Sequence, residues 1–296
     1  MKAYVFPGQG SQKKGMGESL FDKYKDLIKK ADEILGYSIV KLCMEGPDEQ
    51  LNNTKFTQPV LFVVNALSYL NKINEDKSKP DYLAGHSLGE YNALFAAGGI
   101  DFETGLKLVQ KRGELMSKVE GGGMAAVIGL SEEKIKEVIE KNNLKNVEIA
   151  NYNSPFQIVI TGLKDDVAKS EDVFMSEGAR VFIPLKSSGA FHSSFMEPSE
   201  KEFEKYLKDF QFASLKIPVI SNVYARPYND KEIKKTLTDQ ITHSVKWTET
   251  IRYLMGKGVN EFEEIGPGKV LAGLIQKIRK EAEPLIIKDN MVKEKK

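Results

Sequence analysis

The chain has 296 residues, 43 Lys+Arg against 42 Asp+Glu, and a formal net charge of +1. That balance offers no basic surface for nucleic acid, and 41 % hydrophobic with 29 % charged residues reads as a soluble globular chain. The single cysteine, Cys43, excludes an internal disulfide framework and fits a reducing compartment. No apolar run approaches bilayer length, and "MKAYVFPGQGSQ" lacks the apolar core of a signal peptide, so the expectation is a cytoplasmic protein with no membrane contact.

In chain order, "KAYVF" predicts a strand ending in the glycine turn "PGQGSQ". "FDKYKDLIKKADEIL" places Phe21, Tyr24, Leu27 or Ile28, Ala31 and Leu35 on one helical stripe. "QPVLFVVNALSYLNKI" predicts a buried helix starting near Pro59. "PDYLAG" is a short strand, "EYNALFAAGG" a helix stopped by Gly98 and Gly99, and "FETGLKLVQKRGELM" an amphipathic helix.

The rhythm then changes. "GMAAVIGL" (strand), "SEEKIKEVIEKN" (helix with Ser131 as cap), "VEIANYN" and "FQIVITG" (strands), "KDDVAKSEDVFMSEG" (helix) and "ARVFIPL" (strand) follow the order β-α-β-β-α-β. The expectation is a ferredoxin-like small domain over 120–189, entered through a flexible "EGGG". After it come a helix in "EPSEKEFEKYLKDF", a strand in "KIPVISNV", and a helix in "VKWTETIRYLMGKG". "NEFEEIGPGKVLAGLIQKIRK" then reads as strand, turn and helix. Residues 1–119 and 190–285 thus predict a large α/β-hydrolase-like domain on a mainly parallel sheet, with 286–296 a charged tail.

The chemistry centres on "GHSLG", residues 85–89, a G-x-S-x-G between a predicted strand and a predicted helix. In that context the pattern marks Ser87 as a nucleophile on a sharp turn, with the Leu88 N–H a natural oxyanion donor. A serine hydroxyl needs a base. Of the three histidines, His86 adjoins the serine and reads as structural. His192 lies in the small-residue loop "SSGAFHSSFM" and is preferred over His243. "FPGQGSQKKG" fails both the phosphate-loop and the dinucleotide patterns, so its use is a backbone N–H near Gln9 as second oxyanion donor. Arg112 is either a solvated helix charge or, given Leu108, Leu115 and Met116 nearby, a partly buried guanidinium able to hold a carboxylate. No metal-ligand spacing is present.

These residues and their neighbours resemble the malonyl-CoA:acyl carrier protein transacylases over residues 1 to about 280. The resemblance rests on "FPGQGSQ" at 6–12, "TQP" at 57–59, "GHSLGEY" at 85–91, "KRGELM" at 111–116, "NSP" at 153–155, "GAFHS" at 189–193, "VKW" at 245–247 and "GPGKVL" at 266–271. "GGGMAAVIGL" and "SGAFHSSFM" lean toward the free-standing acyltransferases of polyketide synthases. The resemblance implies a ping-pong transfer of malonyl from coenzyme A to Ser87, with His192 as base, and then to the phosphopantetheine thiol of an acyl carrier protein. It implies no tightly bound cofactor, since that arm belongs to the partner. It places Arg112 on the carboxylate-binding arginine and Gln240 on the residue whose side chain orients the histidine. Gln58, Met116, Asn153 and Gln157 fall on pocket positions, and Phe191 on the residue that excludes a methyl branch. An arginine buried without a partner costs on the order of 3–5 kcal/mol, which an acetyl group cannot offset.

Two other readings stay open from the residues. An α/β-hydrolase or thioesterase would share the serine and histidine and take its acid from Asp165, Asp166 or Asp172. A non-catalytic docking protein for carrier proteins would not need Ser87.

Overall fold

The computed structural model describes residues 1–76, 78–186 and 189–287. It contains a four-stranded parallel sheet and a four-stranded antiparallel sheet. The parallel sheet has the order β7-β2-β1-β8, from β1 (Lys2–Phe6), β2 (Tyr82–Gly85), β7 (Val219–Ile220) and β8 (Glu261–Glu264). Central β1 is buried on both faces, as a covered parallel strand requires. Tyr4 and Phe6 enter the larger core with Phe62 and Tyr91, while Ala3 and Val5 enter a second core with Trp247 and Leu271.

The antiparallel sheet has the order β4-β5-β3-β6, from β3 (Gly122–Ile128), β4 (Val147–Ser154), β5 (Gln157–Leu163) and β6 (Val181–Pro184). Its helices, Glu132–Lys141 and Lys164–Ser176, close a third core over Ala125, Ile160 and Phe174. Edge strand β4 is also bridged to the segment between the helices Ile233–Thr242 and Trp247–Gly256. Val245 N donates to the Ala150 carbonyl at 2.8 Å and the Val245 carbonyl accepts from Tyr152 N at 2.9 Å, a parallel bridge of Asn151 with Val245.

Four expectations change. The stripe from Phe21 to Leu35 is two helices, Glu18–Phe21 and Lys25–Leu35, with Tyr24 as the non-helical cap between them. The buried helix runs Thr54–Glu75, capped by the Asn53 side chain on Lys55 N, so Pro59 lies inside it rather than at its start. Proline there forfeits only the bond to the Lys55 carbonyl, and Gly113 of the Phe102–Ser117 helix packs against that turn, where a Cβ would stand 2.9 Å from the Thr54 carbonyl. The strand in "KIPVISNV" is two residues long. "EGGG" is a tight contact rather than a loose linker, because a Cβ on Gly122 would meet Ala190 N at 2.1 Å. Of the expected tail, residues 288–296 lie outside the described residues. Among those described, no helix is long and apolar enough to cross a membrane, and no cluster of three or more His, Cys, Asp or Glu could hold a metal.

Candidate active site

The strands of a parallel sheet deliver their following turns to one rim, where sites of this architecture form. Three turns matter: Pro7–Gln9 after β1, His86–Leu88 after β2, and Ser221–Asn222 after β7. Ser87 sits at φ 51°, in the left-handed region that a side chain rarely adopts. The flanking glycines supply room rather than unusual dihedrals. A Cβ on Gly85 would lie 1.9 Å from Gly89 C, and one on Gly89 would lie 2.0 Å from the Phe6 carbonyl. The strained turn is clamped by Asn222, whose Oδ1 accepts from Ser87 N at 2.7 Å and whose Nδ2 donates to the Gly85 carbonyl at 2.6 Å. Leu88 opens the Gly89–Ala96 helix as its cap, so the Ser87 side chain stands at a helix N-terminus.

His192 meets the serine: Nε2 lies 2.8 Å from Ser87 Oγ. It too has positive φ, 58°. Its Nδ1 faces two acceptors, the main-chain carbonyls of Gln240 at 2.9 Å and His243 at 3.2 Å. Carbonyls only accept, so Nδ1 carries the proton and Nε2 presents its lone pair to the serine. Burial, with the Arg112 charge adding to it, holds the imidazole down at about 3, so it is neutral near pH 7. This corrects the expected role of Gln240, since its main-chain oxygen and not its side chain orients the histidine. His243 contributes a carbonyl to the same bond, and its ring faces the Asp239 carbonyl instead of the serine.

Arg112 is 1 % exposed. Its NH1 donates to Gln58 Oε1 at 2.8 Å, and its NH2 to Gln240 Oε1 at 2.9 Å and to Ser87 Oγ at 3.2 Å. Among the described residues it forms no direct ion pair, and its Nε has no hydrogen-bond partner. Burial lowers its pKa from the ordinary arginine value without approaching neutrality in kind, as a guanidinium stays charged in proteins. The Gln240 amide passes on to Glu90 through Nε2, at 2.5 Å from Oε2. Burial pushes the Glu90 carboxyl up to about 7 against the pull of its Tyr228 and Gln240 bonds.

A cavity of about 260 Å³ opens onto these groups, and its walls include Gln9, Gln58, Arg112, Met116 and Phe191 beside Ser87 and His192. Leu88 lines it as well. Two expected pocket residues are elsewhere. Asn153 is not on the wall itself but bonds Nε2 of His86, which is, through Oδ1 at 2.8 Å, and Gln157 Oε1 accepts from Lys277 at the turn of the β4–β5 hairpin. The β4 residue that reaches the cavity is Asn151, on the site side of a bulge that shifts the register between Ile149 and Asn151. Three contributors escaped the sequence: Asn222, Glu90 and Asn151. Asn222 had a readable position, just past an apolar run, and Glu90 reads from sequence only as an acid in a first helical turn.

The acyl transferase domain family matches residues 3–294. The chain is 60 % identical over 287 residues, 96 % of its length and 99 % of the relative's, to the polyketide biosynthesis malonyl CoA-acyl carrier protein transacylase PksC of Bacillus subtilis (strain 168). Among solved structures, it resembles a malonyl CoA-acyl carrier protein transacylase from Burkholderia pseudomallei with TM-score 0.92, 48 % identity, and coverage of 95 % of this chain and 99 % of that one. It also resembles a malonyl-transacylase in complex with a type II polyketide synthase acyl-carrier protein, PlMCAT:AntF, with TM-score 0.90, 35 % identity, and coverage of 97 % and 95 %. A serine on a strained strand-to-helix turn paired with a histidine from a distant loop, a buried arginine at the same oxygen and a match across nearly the whole length agree: this chain belongs to the acyl transferase domain family.

Proposed function

We propose that this protein moves a malonyl group from malonyl-CoA, through a malonyl ester on Ser87, to the phosphopantetheine thiol of an acyl carrier protein, supplying extender units for polyketide or fatty acid synthesis. His192 Nε2 takes the Ser87 proton as Oγ attacks the thioester carbonyl. The Gln9 and Leu88 N–H groups receive the oxyanion. The imidazolium returns its proton to the leaving coenzyme A thiolate. In the second half the carrier thiol gives its proton to His192, attacks the ester, and Ser87 Oγ leaves with that proton.

The observation that carries the acyl choice is Arg112, a buried guanidinium at the nucleophile whose bonded partners are all neutral. A carboxylate at the far end of a malonyl group gives it the charged partner it lacks. The same contact quiets the Arg112 charge that adds to burial in holding His192 down, so the base strengthens as the right acyl group binds. Gln58 and Met116 set the guanidinium against the cavity wall, where Gln58 also bonds the Met116 sulfur. Phe191 lines the cavity beside His192, which supports a role for its ring in excluding a methyl branch.

Residues 1–119 and 190–285 read as an α/β-hydrolase-like domain and 120–189 as an inserted ferredoxin-like one. The small sheet's order supports this, with its second and fourth strands at the edges. The chemistry needs no resident cofactor and suits the cytoplasm. A Ser-His-acid hydrolase fits less well: His192 Nδ1 is taken by two carbonyls, and Asp165, Asp166 and Asp172 lie on the Lys164–Ser176 helix over the third core.

The test is the intact mass of the protein after malonyl-CoA and again after carrier protein. A malonyl adduct that passes to the carrier is expected; free malonate accumulating with carrier present would select the hydrolase. Arg112→Ala should lower malonyl loading about 100-fold while acetyl loading holds or rises, measured as labelled acyl-enzyme.

A further inference from the structure

Glu90 and Arg112 are the only Asp, Glu, Lys or Arg residues in the buried set of the described chain. Two opposite charges in one dry interior are normally found in contact. These are not. The Gln240 side chain stands between them, Oε1 toward Arg112 at 2.9 Å and Nε2 toward Glu90 at 2.5 Å. Arginine can only donate, and a carboxylate can only accept, so the amide has one workable orientation. Its dipole then lies along the line from cation to anion. The other Glu90 oxygen accepts from Asn222 N at 3.1 Å and the Tyr228 hydroxyl at 2.5 Å, so donors from three segments hold the carboxyl in place.

We propose that Glu90 is the remote counter-ion of Arg112: a carboxylate held one amide away, which balances the buried guanidinium without covering it and so leaves it open to the carboxylate of the incoming acyl group. This rests on the reading of Arg112 given above. A carboxylate in direct contact would take the guanidinium fork in a two-pronged bond and close the site. No counter-charge at all would leave an isolated cation in the interior. The amide spacer avoids both, because the attraction persists across it in a low-dielectric interior while the near N–H groups stay free of any acid. The same carboxyl holds Asn222, whose side chain clamps the Ser87 turn, so one buried group ties acyl selection to nucleophile position. Glu90 is a positioning residue; it does not touch the reacting atoms.

The exchange variant Glu90→Gln with Gln240→Glu tests this. Arg112, residue 240 and residue 90 keep their donor–acceptor pairing, and the Gln240 main-chain carbonyl that holds His192 is retained. The negative charge moves onto Arg112 itself, and the Ser87 carbonyl loses the Gln240 Nε2 donor at 2.9 Å, a loss common to both acyl groups, so the loading ratio and not the rate is the readout. At pH 8, above the value of about 7 to which burial raises the Glu90 carboxyl, the expected result is a folded protein whose malonyl-over-acetyl loading ratio falls at least tenfold. A ratio within twofold of the parent overturns the proposal. Arg112→Ala is run beside it: if that variant keeps full malonyl preference, the reading of Arg112 is what fails, and the proposal falls with it. Should the exchange variant not fold, Glu90→Gln alone supplies the answer by thermal unfolding in sodium malonate and, at equal ionic strength, sodium acetate. Malonate should raise Tm more in Glu90→Gln than in the parent, because the uncovered cation then lacks its remote partner. Equal shifts in the two proteins overturn the proposal.

Discussion

Along the rim of the parallel sheet, each functional group arrives within a few bonds of a strand end: Gln9 after β1, Ser87 after β2, Asn222 after β7. The antiparallel sheet works differently. It offers Met124 and Asn151 from strands as wall, and His192 comes from the chain that leaves it, fixed by carbonyls of a distant segment. The nucleophile is therefore set by local covalent geometry and a short clamp, whereas the base is set by tertiary contact. Damage at the rim should act on the reacting oxygen itself, and damage along the wall should act on which acyl group fits.

The largest effects should come from the two groups where these regimes meet. Ser87→Ala should form no acyl adduct by intact mass, with turnover down at least ~10⁴-fold, and His192→Ala should lose ~10³–10⁴-fold. A His192→Ala protein that still loads at close to the parent rate would break the pairing. Next comes the clamp. Asn222→Ala leaves Ser87 N and the Gly85 carbonyl without their partner, costing about 2 kcal/mol and roughly 10–100-fold in loading rate. Asn151→Ala on the opposite wall should cost less than about threefold in the same assay. Equal losses would erase the distinction between rim and wall. Phe191→Ser should widen acyl choice, with methylmalonyl loading rising about tenfold relative to malonyl, read by labelled acyl-enzyme from both thioesters. Lower stability with unchanged choice would mean that the ring only packs.

The last effect is on stability rather than on turnover, and it is read against pH. His192 titrates at 6.5 when unfolded and at about 3 when folded. The unfolded chain thus takes up its proton first. The stability linked to His192 is present above pH 6.5 and drains away as pH falls from there toward 3. His192→Asn should flatten this part of the Tm–pH profile, and an unaltered slope would contradict the buried neutral imidazole.

What could be read from the chain divides in the same way. "GHSLG" was legible because its constraint is local: two glycines give space within five residues, and the serine must sit on the turn between them. The order of the small sheet's strands was legible from alternation and turn residues. Arg112 was ambiguous because its burial is decided by Gly113 letting two helices close, a contact between residues far apart in sequence. Gln240 was misassigned in its working atom because a main-chain carbonyl leaves no mark on side-chain identity. Asn153 was misplaced because β4 slips register a second time, between Tyr152 and Ser154, so it does not repeat the facing of Asn151; Gln157 starts β5 beyond the hairpin turn, where its amide meets Lys277.

The backbone bridge between Val245 and β4 has a mechanical consequence. The carbonyls of Gln240 and His243 that fix the imidazole belong to the stretch that is stitched to the small sheet's edge. Displacing β4 from that segment would break two backbone bonds and disturb the acceptors of Nδ1. Any breathing of the cleft that keeps the base armed has to leave that seam closed.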